Sequence, residues 1–139
     1  MNTIHVHPRS AEIQVVTQGK LTTEMVPENG VNKDGKRRVI KTELSPYQMT
    51  VFPQGSVHTQ FNPTCYDAIF VASFASEDFG AGQIADETFA FSDDILSATF
   101  GQIVDGAEID KVRAAIPASI AQGVEQCLKA CNIPKRAVA

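Results

Sequence analysis

Apolar and polar residues alternate in short runs up to about residue 90 of the chain. This period of two is typical of strands that bury one face, and glycine and proline residues separate the runs. The pattern predicts six strands, Glu12–Gln18, Leu21–Val26, Arg38–Leu44, Met49–Phe52, Val57–Phe61 and Ala68–Phe74. Many short strands with regular turns favour an antiparallel sandwich or barrel.

The apolar period becomes helical after residue 90. Ser92 is the expected N-cap of a short helix over Asp93–Phe100. Pro117 interrupts the next stretch, so we expect two helices there, the second starting near Pro117 and ending near Asn132. The last five residues, KRAVA, are predicted to be a frayed tail.

Composition fits a single domain of 139 residues, of which 43% are hydrophobic. Within it we assign residues 1–90 to a β-barrel and residues 91–139 to a C-terminal helical extension of the same domain. The net charge of −4 argues against nucleic-acid binding, which needs a concentrated positive surface. The basic cluster Lys33–Arg38 is interpreted as a solvated hairpin loop.

The chain contains no apolar run near the roughly 20 residues that span a bilayer, so no membrane association is expected. No signal-peptide pattern is visible at the start either. The expectation for location therefore depends on Met1: cytoplasmic if Met1 is the native start, and secreted if a leader precedes it.

Three cysteines allow at most one internal disulfide. Cys127 and Cys131 share one face of a predicted helix. Two interpretations stay open: small buried apolar side chains, or one bridge from Cys65 to that helix in a secreted protein.

All three histidines of the chain lie in two places, His5-Val6-His7 and His58. On a strand, His5 and His7 point to the same face and are able to chelate one ion. Glu12 opens the next strand and is placed to return a carboxylate to the same ion. Three imidazoles and one carboxylate suit Mn(II), Fe(II), Ni(II), Cu(II) or Zn(II) better than a calcium cage.

Two segments resemble the paired motifs of germins and germin-like proteins of the cupin superfamily. The stretch NTIHVHPRSAEIQVVTQGKL is similar to the first motif, and VFPQGSVHTQFN is similar to the second. ASFASEDFGAGQIADETF resembles the segment after the last barrel strand, and the C-terminal tail is similar to that of fungal germin-like or spherulin-like chains. The turn before the second motif departs from the pattern, because Tyr47 stands where the motif has a glycine.

The resemblance implies an all-β cupin barrel, a double-stranded jelly roll, with a C-terminal α-helical extension. It implies Mn(II) at His5, His7, Glu12 and His58, with Fe, Ni, Cu or Zn as alternatives, and a small-molecule substrate. Germins oxidise oxalate with dioxygen, many germin-like proteins act on superoxide, and Asn2 matches an active-site asparagine of the oxalate-oxidising members. Germins have further strands upstream of the matching region, so a barrel without them is expected to form a homo-oligomer.

Two other classes of function stay open, because a fold does not fix a function. A non-redox cupin enzyme of fungal secondary metabolism (an isomerase, cyclase or decarboxylase) would use the ion as a Lewis acid. A binding or storage protein would hold a structural metal or would have lost its metal. Side chains that could line an organic pocket are Gln14, Tyr47, Gln60 and Asn62. Arg9 is interpreted as a partner in a surface ion pair rather than an anion guide.

Overall fold

A computed structural model describes residues 1–134 of the chain. The predicted frayed tail at residues 135–139 lies outside the described residues. The ten strands are β1 His5–Val6, β2 Glu12–Gln18, β3 Leu21–Val26, β4 Asn32–Lys33, β5 Lys36–Arg37, β6 Ile40–Leu44, β7 Met49–Phe52, β8 Val57–Phe61, β9 Ile69–Phe74 and β10 Gly82–Gln83. The four helices are α1 Ile84–Phe89, α2 Asp93–Thr99, α3 Gly106–Ala115 and α4 Glu125–Ala130.

The strands form two antiparallel sheets and a separate hairpin. One sheet has the order β10-β1-β8-β3-β6, and the other has the order β7-β2-β9. The short β4–β5 hairpin holds the exposed basic cluster, as the sequence predicts. Hydrogen bonds between the described strands do not close the two sheets into a continuous barrel.

Burial along β2 alternates, with Glu12, Gln14 and Val16 inside and Ile13 and Thr17 outside. Val16 at the inner end of this row packs with Leu21 and Leu44 in a small apolar core. Gly19 makes the turn from β2 to β3 with φ of 73°, a left-handed conformation that favours glycine. This apolar cluster lies toward one end of β2, while Glu12 and Gln14 put buried polar side chains on the same inner face toward the other end.

The helical region differs from the prediction in two places. The six-residue helix α1 lies within the part read as strands, and it is too short to show a helical period. No helix starts near Pro117, because the backbone there pairs with the start of the chain instead: Thr3 N–H donates to the Ile120 carbonyl at 2.8 Å. The last helix therefore begins only at Glu125. Ser92 does occupy the N-cap position of α2, although its side chain makes no capping hydrogen bond.

Cys65 and Cys131 form a disulfide that ties the loop after β8 to the end of α4. Of the two cysteine interpretations, the bridge to the C-terminal helix is therefore the one that the structure contains. Cys127 is a free, half-buried thiol. Separately, none of the helices within residues 1–134 has the length and apolar character needed to cross a membrane.

Candidate metal centre

The two sheets bring His5, His7, Glu12 and His58 together. His5 lies on β1 and His58 opposite it on β8, while Glu12 begins β2 of the other sheet. All four side chains are buried, with exposed fractions between 2% and 7%. One ligand atom from each residue lies within 4.8 Å of those of the other three. Residues far apart in the chain thus converge on a space the size of one ion.

Backbone carbonyls set the orientation of all three imidazoles. Nδ1 of His5 lies 2.8 Å from the Thr3 carbonyl, Nδ1 of His7 2.6 Å from the Gly80 carbonyl, and Nδ1 of His58 2.9 Å from the Ser56 carbonyl. A carbonyl only accepts, so each Nδ1 carries the proton and each Nε2 keeps its lone pair. This second layer of contacts is how proteins orient histidine ligands toward a metal.

The Nε2 lone pairs of His7 and His58 face the carboxylate of Glu12. Oε2 of Glu12 lies 3.1 Å from Nε2 of His7 and 3.1 Å from Nε2 of His58. With both Nδ1 protons given to carbonyls, these three atoms are all acceptors, and they attract one another only through a shared proton or a cation. The arrangement therefore favours a proton or a metal cation between these three atoms.

The spacing also fits a first-row metal ion. Neighbouring ligands on an octahedral ion with bonds of about 2.1 Å lie ~3.0 Å apart, and on a tetrahedral ion ~3.4 Å apart. The observed 3.1 Å separations match this range. Imidazole and carboxylate donors suit Mn, Fe, Ni, Cu and Zn, so the residues fit such a group.

Charge at the site is arranged for metal binding. Burial lowers the pKa of His5 below its ordinary value, with the bond to the Thr3 carbonyl opposing it, so the ring is neutral near pH 7. Burial alone would raise the pKa of Glu12, but a proton shared with His58, the hydrogen bond from Gln14 and the positive charge that His58 and His7 carry when protonated outweigh it and bring this pKa below its ordinary value. For His5 and Glu12, these directions favour the neutral imidazole and the ionised carboxylate, which are the forms that bind metal.

A family model described as Cupin matches residues 1–103, well over half of the chain. The chain belongs to the cupin family. Its relatives are germin-like proteins and spherulins. It is 30% identical over 132 residues to Spherulin-1A of Physarum polycephalum, covering 95% of this chain and 51% of the relative. It is 37% identical over 119 residues to Germin-like protein 12-2 of Oryza sativa subsp. japonica, covering 81% and 50% respectively. The chain spans about half the length of the curated relatives it matches.

Solved structures share this cupin's fold. A recombinant oxalate oxidase in complex with glycolate matches with a TM-score of 0.72 at 22% identity, over 86% of this chain and 58% of that one. A Bacillus subtilis oxalate decarboxylase studied for its Mn(II) centres matches with a TM-score of 0.63 at 13% identity, over 80% and 27%. The predicted cupin jelly roll with a small helical part is confirmed.

Aromatic rings close the cupin site on two sides. Phe52 is 1% exposed and stacks on His58 with ring centroids 4.0 Å apart and planes at 14°. Phe74 and Phe79 stack on each other, and both meet the ring of His7 edge-on. Apolar rings around the four ligand residues lower the local dielectric constant and so strengthen electrostatic interactions among them.

Sequence reasoning missed these walls and the carbonyls that hold the imidazoles. The inward phase of strands β7 and β9 could have indicated Phe52 and Phe74. Backbone carbonyls leave no residue-type signal, so the partners of the three Nδ1 atoms could not have been found from the sequence.

The four predicted pocket residues differ in how far their side chains are buried. Gln14 and Gln60 are buried, with exposed fractions of 0% and 4%, and Oε1 of each lacks a hydrogen-bond partner within residues 1–134. The prediction that Tyr47 lines a pocket is wrong, because its side chain is 87% exposed in the turn before β7 and lines no interior pocket. Asn62 is half-buried, and its side chain donates to the Tyr66 carbonyl and accepts from Thr64 N–H, so it organises the turn after β8; its place in a pocket stays a prediction.

Asn2 and Arg9 lie close in sequence to the ligand residues His5 and His7. Asn2 is half-buried, and its N–H donates to the Gln60 carbonyl at 2.8 Å, which fixes it beside β8. Arg9 forms an exposed ion pair with Asp78 at 2.6 Å, so its interpretation as a surface ion-pair partner agrees with the structure.

Proposed function

We propose that this germin-like cupin is a metal-dependent oxidoreductase that uses Mn(II) and acts on superoxide or on a small carboxylate such as oxalate. The observation that carries the proposal is the buried convergence of three Nε2 lone pairs and one carboxylate oxygen. The fold it shares with an oxalate oxidase and with a decarboxylase that has Mn(II) centres supports the choice of chemistry.

In this proposal His5, His7, Glu12 and His58 hold the ion. Bound manganese would supply a centre that changes oxidation state and binds oxygen ligands. Four protein ligands leave about two positions of an octahedral ion for small molecules. The backbone carbonyls keep the imidazoles in their ligating tautomer, and the phenylalanine walls keep bulk water from the ligands.

Other interior groups would bind the substrate. Gln14 and Gln60 present unpartnered amide oxygens inside the protein, and Asn2 lies next to Gln60. An unpaired buried acceptor costs about 1–3 kcal/mol. We therefore propose that these groups face a polar ligand, with Asn2 in the catalytic role.

Metal analysis of the purified protein, followed by superoxide and oxalate assays, tests the proposal. Stoichiometric manganese with turnover of either substrate is the expected result. Zinc or nickel without redox activity would refute it and favour the non-redox alternative, an isomerase, cyclase or decarboxylase. In His58→Ala, metal content is expected to fall below one-tenth of the wild-type value. Unchanged metal content in that variant would refute the ligand assignment.

We also propose that the chain forms a homo-oligomer through the outer face of the β7-β2-β9 sheet. Antiparallel register places Ile13 opposite Val51, and it places Met49 and Val71 on either side of Val15. The side chains of Ile13, Met49, Val51 and Val71 are 40–61% exposed. Contiguous apolar patches of this kind mark interfaces. Light scattering should give a multiple of 15.0 kDa, and Val71→Lys should lower it. A monomer mass at all concentrations would contradict this proposal.

We propose secretion rather than a cytoplasmic location, supported by the Cys65–Cys131 disulfide, since such bridges persist in oxidising compartments. Thiol alkylation and mass analysis of protein from its native source should find this pair oxidised. A reduced pair in a cytosolic fraction would contradict secretion.

A further inference from the structure

Gln14 contacts the carboxylate of Glu12 in the candidate metal centre. It lies on β2 two residues after Glu12, on the same inner face, and is fully buried. Its Nε2 donates to Oε1 of Glu12 at 2.6 Å. An ionised carboxylate only accepts, so this bond decides which amide atom of Gln14 faces Glu12.

The two oxygens of Glu12 therefore have different surroundings. Oε1 accepts the hydrogen bond from Gln14, whereas Oε2 faces Nε2 of His7 and Nε2 of His58. A carboxylate held in this way offers one oxygen toward the imidazoles and keeps the other turned away. Within residues 1–134, the amide of Gln14 is the hydrogen-bond partner of Oε1, so its loss would remove the hydrogen bond that holds this oxygen away from the imidazoles.

We propose that Gln14 is a positioning residue that holds Glu12 as a one-oxygen donor and thereby keeps a coordination position free for substrate. This inference rests on the proposed metal centre and assigns to Gln14 a role distinct from lining the pocket. Gln14 acts through Glu12 and is not itself a ligand.

Gln14→Met tests the inference, because methionine has a similar length and no hydrogen-bond donor. Thr23→Val is the matched control: it also exchanges a buried polar residue for an apolar one on an inner strand, but Thr23 Oγ1 contacts the Thr42 carbonyl rather than Glu12. Each protein is stripped of metal, reloaded with Mn(II) alone and checked for folding by circular dichroism.

Two quantities are then measured. The Mn(II) dissociation constant should rise about 10- to 100-fold in Gln14→Met, as for loss of other groups that orient ligands, and stay within about twofold of wild type in Thr23→Val. Water-proton relaxation counts the exchangeable waters on the ion. We expect about two in wild type and in Thr23→Val, and about one in Gln14→Met, where the second carboxylate oxygen takes a position.

Unchanged water count and affinity in Gln14→Met would refute the role of Gln14 while leaving the metal centre intact. Failure of wild type to bind Mn(II) would refute both proposals, so the two failures are distinguishable. If Gln14→Met does not fold, Gln14→Asn takes its place, because its amide is one methylene too short to reach Oε1 of Glu12. The same criteria then decide.

Discussion

Replacing Glu12 by glutamine removes the negative charge of the metal centre and keeps the shape of the side chain. The amide oxygen of the variant can still accept the hydrogen bond from Gln14, and its NH2 group can donate to the lone pairs of His7 and His58. We therefore expect Glu12→Gln to fold, and to lose the response to metal selectively.

The magnitude follows from linkage between binding and folding. Manganese at 100 times its dissociation constant stabilises the folded state by about 2.7 kcal/mol. For a chain of this size that corresponds to a rise in Tm of about 8 °C. If the amide weakens binding about 1,000-fold, the same manganese concentration stabilises the variant by less than about 0.1 kcal/mol.

The assay is thermal unfolding followed by circular dichroism, after treatment with a chelator and again after adding Mn(II). Glu43→Gln is the matched control, because Glu43 is exposed on β6. We expect wild type and Glu43→Gln to gain the full shift and Glu12→Gln to gain almost none. A full shift in Glu12→Gln, or none in wild type with any of the five candidate metals, would show that the reasoning is wrong.

Three further predictions concern stability. Phe52→Ala should lose about 3–5 kcal/mol in urea unfolding, because it removes a fully buried ring stacked on His58; a loss below 1 kcal/mol would contradict the packing. Gly19→Ala should lose more stability than Gly55→Ala. Both glycines have φ near +75°, but a Cβ at position 19 would clash with the backbone oxygen of Asp67, whereas nothing lies within 4 Å of a Cβ at position 55. Equal losses in the same urea assay would contradict the close approach. Cys65→Ser should lose about 4 kcal/mol, because the disulfide spans 66 residues; thiol titration should then find two free thiols instead of one, and an unchanged count would contradict the bridge.

The alternation of apolar and polar residues and the two motifs were sufficient to predict the six longer strands, the cupin family and the four residues that converge. Strand geometry puts His5 and His7 on one face whatever surrounds them, and a period of two needs no tertiary information. That these four residues bind a metal stays a prediction. Boundaries were less well determined, since β6 begins at Ile40 rather than Arg38.

Tertiary structure alone decided the rest. The stretch after Pro117 has a helical apolar period, yet its backbone bonds to the first residues of the chain, a contact that local pattern does not encode. Tyr47 and Asn62 are polar residues next to strands, and only the folded turns show that the Tyr47 side chain is exposed and that the Asn62 amide bonds to the Tyr66 carbonyl. The carbonyls that hold the imidazoles, and the amide of Gln14 behind Glu12, likewise depend on how two sheets meet. Residue type and spacing determined which donors this cupin offers, and the packing of the sheets determined where each donor points.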